Sequence, residues 1–555
     1  MKNTLLKILL AILIFTLSFT LFACGANGDG DSTQNPPPAE EEQLQVVEGS
    51  KGLSYEVKKS GGKKYAICTG IGTCTDTDIV IASHYDGAIV KEIKNQAFKD
   101  KTKIKSVKFS NGLEEIGMYA FNGCTSLFSV TLPKSVTNIM QNAFNNCTNL
   151  FNICNDSNLD LVIGTSTYGN IANNACNIYN SNSGADGVFK TVGDYEMFEF
   201  SNNLFVLKYN GDVSSFTFPD GVTGLSKDLF RETDIATLNL PASVAYIGKN
   251  AFYNCASLKS VNVPANSKLE RVGENAFMGC EALTEFNFGS TIYDYLNIDF
   301  ATAESNPLYY TKTLKIDGKT PTDIVIPNGI KVIKPNLFTN CLDIKSITLS
   351  PTVEELQVSV FESCENLETF NMQPDGNLKK IGSSAFRYCT SLRKLEFPIS
   401  VEEIDMYAFN GCSSIQTIDF ANNSKIKTVG EEAFQRCTSL VTVFFGHNSA
   451  LETVGKNAFQ YCSNLCYFRL GNYSTVKELG YGALQGCKSL KELYVPKSCT
   501  IGYVCLSGLF YGTRDGGAYC TIYLEVDEIP VEYASWFNPS NCPVELGVPY
   551  PVEEE

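Results

Sequence analysis

The sequence predicts a β-rich solenoid of short parallel strands stacked in a curved array, and three observations carry that prediction. An Ala-Phe pair or a close variant recurs thirteen times, beginning at Ala97, Ala120, Ala143, Leu229, Ala251, Ala276, Leu337, Val360, Ala385, Ala408, Ala433, Ala458 and Ala483. Within uninterrupted runs the copies stand 22, 23 or 25 residues apart. The pairs are followed by Leu-x-x-Leu-x-Leu segments, among them Leu127-x-x-Val130-x-Leu132, Leu392-x-x-Leu395-x-Phe397 and Leu490-x-x-Leu493-x-Val495. A period of ~20–29 residues with that apolar spacing marks a leucine-rich repeat solenoid. A chain of 555 residues would otherwise be read as about three or four globular domains.

Taken in order, residues 1–23 read as a signal peptide: Lys2 and Lys7 are basic, and Ile8 to Phe22 is almost wholly apolar. That run is short for a membrane span and suits a secretory signal. The Leu21-Phe22-Ala23-Cys24 end resembles the lipobox of bacterial lipoproteins. The resemblance implies cleavage before Cys24, which as the new N-terminus carries acyl chains. The alternative is an ordinary secretory signal with an incidental cysteine. More than one acyl chain is needed for stable anchoring, a condition a diacylated Cys24 meets. Residues 24–50 form a linker with Pro36-Pro37-Pro38 and Glu40-Glu41-Glu42, a composition that builds no core and spaces the folded part from a membrane. Gly28 to Ser32 lacks the spaced ligands of a calcium loop. Residues 51–91 are the N-terminal cap that a solenoid needs.

Residues 92–150, 216–290 and 327–498 carry the repeats. Alternation over the end of each Leu-x-x-Leu-x-Leu segment gives a strand with one buried face. A single unit cannot bury that face alone, so neighbouring units supply the wall. The Ala-Phe-x-x-Cys segment is too short for an ordinary helix and is expected to make a helical turn on the convex side, with Phe in the core and Ala permitting close approach. An aliphatic residue precedes the Ala by four and is often followed by Gly, as at Gly117, Gly248, Gly273, Gly382, Gly430, Gly455 and Gly480. A positive φ at a chain reversal is expected of these glycines. The 25-residue copies insert polar pairs such as Asn266-Ser267, Asn423-Ser424 and Asn448-Ser449, which lengthen a surface loop without touching the core.

Two β-rich insertions interrupt the array, at 151–215 and 291–326. The first is Asn-rich between Asn170 and Asn182, then alternates from Glu199 to Tyr209, with Asn210-Gly211 reading as a hairpin turn. Residues 499–555 are the C-terminal cap and tail. Of 21 cysteines, eleven stand three residues after the repeat Phe or its equivalent, and that fixed place argues for packing as small buried thiols. Parallel stacked side chains are poor disulfide geometry. Cys68/Cys74 and Cys520/Cys542, in the caps, are the better disulfide candidates.

The pattern Ile-Gly-x-x-Ala-Phe-x-x-Cys-x-x-Leu-x-x-Val-x-Leu-Pro, spread over most of residues 92–498, resembles the BspA-type leucine-rich repeat. Gly70 to Ile81, Asn306-Pro307-Leu308-Tyr309 and the end from Thr521 through Trp536 to Val544 are similar to segments common in that family. The sequence departs from it at Ala82, where a Pro is usual. The resemblance implies a bacterial cell-surface protein facing the exterior. Some family members are adhesins that bind host matrix proteins or other bacteria. No fixed ligand is implied, because repeat families change partners through their variable positions.

Composition narrows the function. Acidic residues number 60 against 44 basic, for a net charge of −16, which disfavours nucleic-acid phosphates. Only His84 and His447 are histidines, so little material exists for a Ser-His-Asp triad, a Cys-His dyad or a His-based metal site. Acidic pairs such as Glu114-Glu115, Glu354-Glu355, Glu402-Glu403 and Glu431-Glu432 could in principle serve glycoside hydrolysis, but they recur with the repeat as solvated turn charges. No catalytic residue, cofactor or metal is expected. Binding is expected on the outward strand positions. Most of these are small or polar, such as Ser129/Thr131 and Thr369/Asn371, whereas the last coils bring Phe444, Tyr467, Arg469 and Tyr494 onto one ladder. Aromatics and Arg dominate binding hot spots. The bland alternative is that these rings cover one another or pack on the cap. The expected function is a lipid-anchored surface recognition protein or adhesin for extracellular or host-surface proteins. The alternatives are a capture protein for polysaccharide or peptide nutrients, and a passive spacer.

Overall fold

The structure is a computed structural model describing residues 45–175, 177–183, 188–200, 202–471, 475–501, 520–529 and 542–548. Cys24, with the expected signal peptide and most of the linker, lies outside the described residues. From Val46 onward the chain is one compact unit. Most coils contribute two strands. A longer one, such as Ser129–Leu132, buries alternate residues, and a two-residue one, such as Asn138–Ile139, buries its aliphatic residue. Each stacks in parallel on its counterparts: Val107 faces Val130 and Val130 faces Ile153, while Ile93, Ile116 and Ile139 form a second column. Period-2 burial fixes the register, since a one-residue slip would turn every apolar side chain outward. The most regular stretch has eight two-residue strands, from Val332–Ile333 to Thr500–Ile501, and seven longer ones, from Lys394–Phe397 to Val544–Leu546.

The Ala-Phe-x-x-Cys segment is a run of tight turns rather than a turn of helix. Two residues per coil take left-handed φ, one before the Ala and one before the Cys, as at Tyr119 (57°) and Gly123 (76°), or Asn457 (55°) and Tyr461 (62°). Each breaks helical propagation. Local bonds, Ala120 N–H to Gly117 O and Cys124 N–H to Phe121 O, then alternate with bonds to the next coil, Phe121 N–H to Ala143 O and Gly123 N–H to Asn145 O. The phenyl rings stack at the coil spacing: 5.3, 5.1, 5.0, 5.1 and 5.1 Å separate successive rings from Phe338 through Phe361, Phe386, Phe409 and Phe434 to Phe459.

The repeat cysteine does more than fill space. The Cys124 Sγ–H donates to Phe98 O of the preceding coil at 3.1 Å, and Cys147, Cys389, Cys412 and Cys462 repeat the contact. The Phe98 carbonyl already accepts Lys101 N–H, so the thiol uses its second lone pair. Burial pushes the Cys124 pKa up to about 12. Among the described residues Cys68, Cys74 and Cys520 are free thiols, so neither of the two cap pairs expected from the sequence is joined.

The repeat glycines require a correction. None of Gly117, Gly248, Gly273, Gly382, Gly430, Gly455 and Gly480 has positive φ. A Cβ on Gly382 would stand 2.7 Å from Leu356 O and 2.8 Å from the Gln357 carbonyl carbon. Close approach of successive backbones, not chain reversal, is what requires glycine there.

The first interruption opens as two more coils. Asn152–Asn155 and Asn177–Tyr179 extend the longer-strand sheet, and Asn177 donates to Asn152, which donates to Ser129. Three antiparallel strands follow, Val188–Val192, Tyr195–Phe200 and Asn203–Tyr209. The reversals fall at Gly193-Asp194 and between Phe200 and Asn203, so the hairpin expected at Asn210-Gly211 is misplaced. There the chain leaves the sheet, because the next strand, Gly224–Leu225, pairs in parallel and needs a crossover. The middle strand faces two ways. Tyr195 and Met197 join the core that runs on to Cys542, whereas Phe198 and Phe200 pack with Phe128 and Phe151 of the first array. The second interruption is mixed rather than wholly β. Asp299–Phe300 and Lys315–Ile316 continue the two sheets, and short helices span Ile292–Leu296 and Leu308–Thr311. Tyr295 is buried there and donates to Leu337 O at 2.5 Å.

Charges also run in columns. Lys331, Glu354, Lys379, Glu402, Lys427, Glu452 and Lys477 alternate in sign on successive coils, with ion pairs of 3.4 Å (331–354), 2.8 Å (379–354), 3.2 Å (427–402) and 2.8 Å (477–452). Glu114 meets Lys91 at 2.5 Å and Glu431 meets Lys456 at 2.7 Å. With Glu403, which meets Lys380 at 3.1 Å, five of the acidic residues named from the sequence are therefore paired to lysines of neighbouring coils.

Candidate recognition face

Four consecutive longer strands build the aromatic ladder: Thr442–Phe444, Tyr467–Arg469, Glu492–Val495 and Thr521–Leu524. Val443, Phe468, Leu493 and Ile522 point inward and are buried, which forces their neighbours to the opposite face. Phe444 pairs with Arg469, Tyr467 with Glu492, and Tyr494 with Tyr523. One outward column thus reads Phe444, Arg469, Tyr494, Tyr523, and the adjacent one Thr442, Tyr467, Glu492, Thr521.

The structure brings all four expected side chains onto one half-buried surface and adds partners to them. The Arg469 guanidinium lies 5.4 Å from the Tyr467 ring centroid and the Lys491 ammonium 4.9 Å, within cation–π range. Lys491 also donates to the Tyr467 hydroxyl at 2.9 Å. That bond holds the Lys491 pKa above the ordinary lysine value. Phe444 meets the His447 ring edge-on at 5.1 Å. Tyr494 stacks on Tyr523 at 4.4 Å and 11°, so mutual covering applies to that pair. The result is a strip of rings with two cations held over one of them, whose planar faces and fixed donors suit protein recognition.

Earlier coils present a different surface on the same positions. Asn262 donates to Asn239 and Asn287 to Asn262, each at 2.8 Å, and Asn371 to Thr348 at 3.2 Å. These amides spend their hydrogen bonds on side chains of the neighbouring coil.

None of Tyr523, Lys491 and His447 was assigned to this face from the sequence. Tyr523 lies past the last regular spacing, in the cap, although Ile522-Tyr523-Leu524 keeps the strand alternation. Lys491 stands one residue before its strand. His84 is in a short strand, its Nδ1 3.0 Å from Ser83 Oγ. Among the described residues, no group of three or more His, Cys, Asp or Glu is placed to hold a metal, and no helix is long and apolar enough to cross a membrane.

The family model described as BspA type leucine rich repeat region matches residues 86–183, 206–306, 317–424 and 379–509, in 6 copies. Among solved structures, the chain is similar to a leucine-rich repeat protein from Bacteroides ovatus, at 20% identity over 82% of this chain and 95% of that one, with a TM-score of 0.32. A leucine-rich cell surface protein from Faecalibacterium prausnitzii is 23% identical over 70% of this chain and 94% of that one, with a TM-score of 0.30. The pneumococcal vaccine antigen PcpA is 16% identical over 92% and 99%, with a TM-score of 0.26. Comparison with curated proteins gives no match.

Proposed function

This chain belongs to the BspA-type leucine-rich repeat family, and on that premise we propose that it is a recognition protein of the bacterial cell surface, tethered by lipid at Cys24, whose last coils bind an extracellular or host-surface protein. One observation carries the reading: Phe444, Tyr467, Arg469 and Tyr494 share a face on which earlier coils present mutually bonded amides. Rigid aromatics lose little conformational entropy on binding, and Arg adds fixed donors. The function is adhesion or recognition rather than catalysis.

The test is adhesion of the chain to arrays of matrix proteins, bacterial surface proteins and glycans, with a Tyr467→Ala/Tyr494→Ala double variant. Binding to a protein spot that falls at least about tenfold in the folded double variant is the expected result. Unchanged binding removes the assignment to this face, and binding confined to saccharides favours nutrient capture. Mass spectrometry of the mature N-terminus tests the tether, since a Cys24 without acyl chains excludes it.

A further inference from the structure

A cavity of about 280 Å³ lies where the two arrays meet. Gly164 and Asn173 line it from the end of the first array, and Lys227, Tyr246, Lys249 and Arg271 line it from the start of the second. It is remote in sequence from the aromatic ladder. We propose that this cavity binds a small hydroxylated organic anion, of monosaccharide size, carrying one carboxylate or phosphate group.

Charge is the first argument. Three cations face the cavity in a chain whose net charge is −16. Lys249 is occupied by an ion pair with Glu274, also in the wall. Among the described residues the Lys227 ammonium has an ion pair with Asp228 alone, at 3.9 Å and beyond hydrogen-bond distance, and its side chain is 12% exposed. Among the described residues, Arg271 forms no ion pair. Burying a cation without a close partner costs free energy that an incoming anion would recover. The same burial pulls the Lys227 pKa below the ordinary lysine value, with Asp228 acting against it.

Shape is the second argument. Gly164 has φ +81°, and a Cβ there would stand 2.6 Å from Arg271 Nη2. The φ itself favours glycine at this position, and the guanidinium of the second array lies beside this backbone of the first. A planar guanidinium held this way can bind a carboxylate or phosphate through two parallel hydrogen bonds. The Asn173 amide adds a neutral hydrogen-bonding group of the kind that recognises hydroxyls. The volume falls just under the usual range for ligand pockets, ~300–1,000 Å³, so a single sugar acid or the acidic end of a longer chain fits and an internal polymer segment does not.

The test is calorimetric titration of the full chain at low ionic strength with glucuronate, inorganic phosphate and uncharged glucose. At least one anion is expected to bind, and glucose at least about tenfold more weakly. Arg271→Ala and Lys227→Met are each expected to weaken the anion at least about tenfold, the loss of one or more charge-assisted hydrogen bonds. Arg393→Ala, in a distant coil, leaves it unchanged. Thermal unfolding of each variant separates a lost site from a lost fold, and Lys227→Met keeps the buried aliphatic stem. Preference for glucuronate identifies a carboxylate ligand, and preference for phosphate a phosphate ester. Failure of both anions to bind, or binding unaltered in both folded variants, overturns the proposal.

Discussion

The run of coils from Leu337 to Leu484 and the junction between the two arrays solve the same problem, burying a strand's apolar face, in different ways. In the run, every coil is walled by a copy of itself. The Phe rings repeat near 5.1 Å, and the cysteine and glycine contacts recur with them. At the junction the ladder stops. Phe230 packs on Phe216 and Tyr209 instead of on a preceding repeat Phe, and a single strand covers both sides through Met197 and Phe198. Repetition makes stability a sum of like neighbour terms. A junction concentrates coupling in a few unlike residues and leaves space between the arrays.

The largest effects should expose that difference. Phe409→Ala leaves a cavity between two rings 5.0 and 5.1 Å away, and is expected to cost ~3–5 kcal/mol. Its mark is earlier unfolding of the second array as a block. Phe198 contacts Phe128 at 4.3 Å and Phe189 at 4.9 Å. Phe198→Ala also loses buried contacts, but its mark is decoupling: the two arrays should unfold at separate urea midpoints. Hydrogen exchange followed by peptide mapping distinguishes them. A Phe198→Ala protein that still unfolds in one coincident step would show that the aromatic cluster does not couple the arrays.

Gly382→Ala comes next. The added methyl meets the backbone of the preceding coil, which has no flexible end to move, so overpacking of about 1–3 kcal/mol is expected. Gly193→Ala, in the hairpin turn, has open space around it and only a φ of 55° to resist it. Denaturant midpoints should rank Gly382→Ala as the more damaging, and the reverse order would show that close backbone approach is not what requires glycine there.

The solenoid was legible because its cause is local and recurrent: apolar spacing, the Ala-Phe pair and the cysteine all repeat. The ladder of Phe444, Tyr467 and Arg469 was legible for the same reason, since strand alternation alone sends those side chains outward. What escaped depends on the neighbouring coil rather than on the residue itself. Gly382 reads as a turn glycine until the Leu356 carbonyl is seen beside it. Cys412 reads as a small hydrophobe until its thiol is found bonded to Phe386 O. Lys227 and Arg271 occupy ordinary repeat positions, and only the stacking of two arrays turns them toward one cavity. Tyr523 was hidden because the spacing fails just before it.

The smallest effect separates the two regions by charge. The alternating column runs through the regular coils, whereas the junction cavity gathers cations. Within the column the Glu354 carboxyl is held below its ordinary pKa by Lys379 first and Lys331 second. A carboxylate lowered on folding stabilises the native state fully above its unfolded pKa, near 4.3, and that contribution fades as pH falls through the lower folded value. Glu354→Gln should therefore flatten the pH dependence of the second array's midpoint below about pH 4.5. At neutral pH the change should be slight and vanish in high salt, because exposed pairs are weak and screened. Glu402→Lys is the sharper variant, since it sets three lysines in succession on the column, Lys379, the new residue and Lys427. Its destabilisation should shrink as salt rises. A loss that salt does not relieve would mean that Glu402 acts through packing, and the column would then have no part in holding the coils in register.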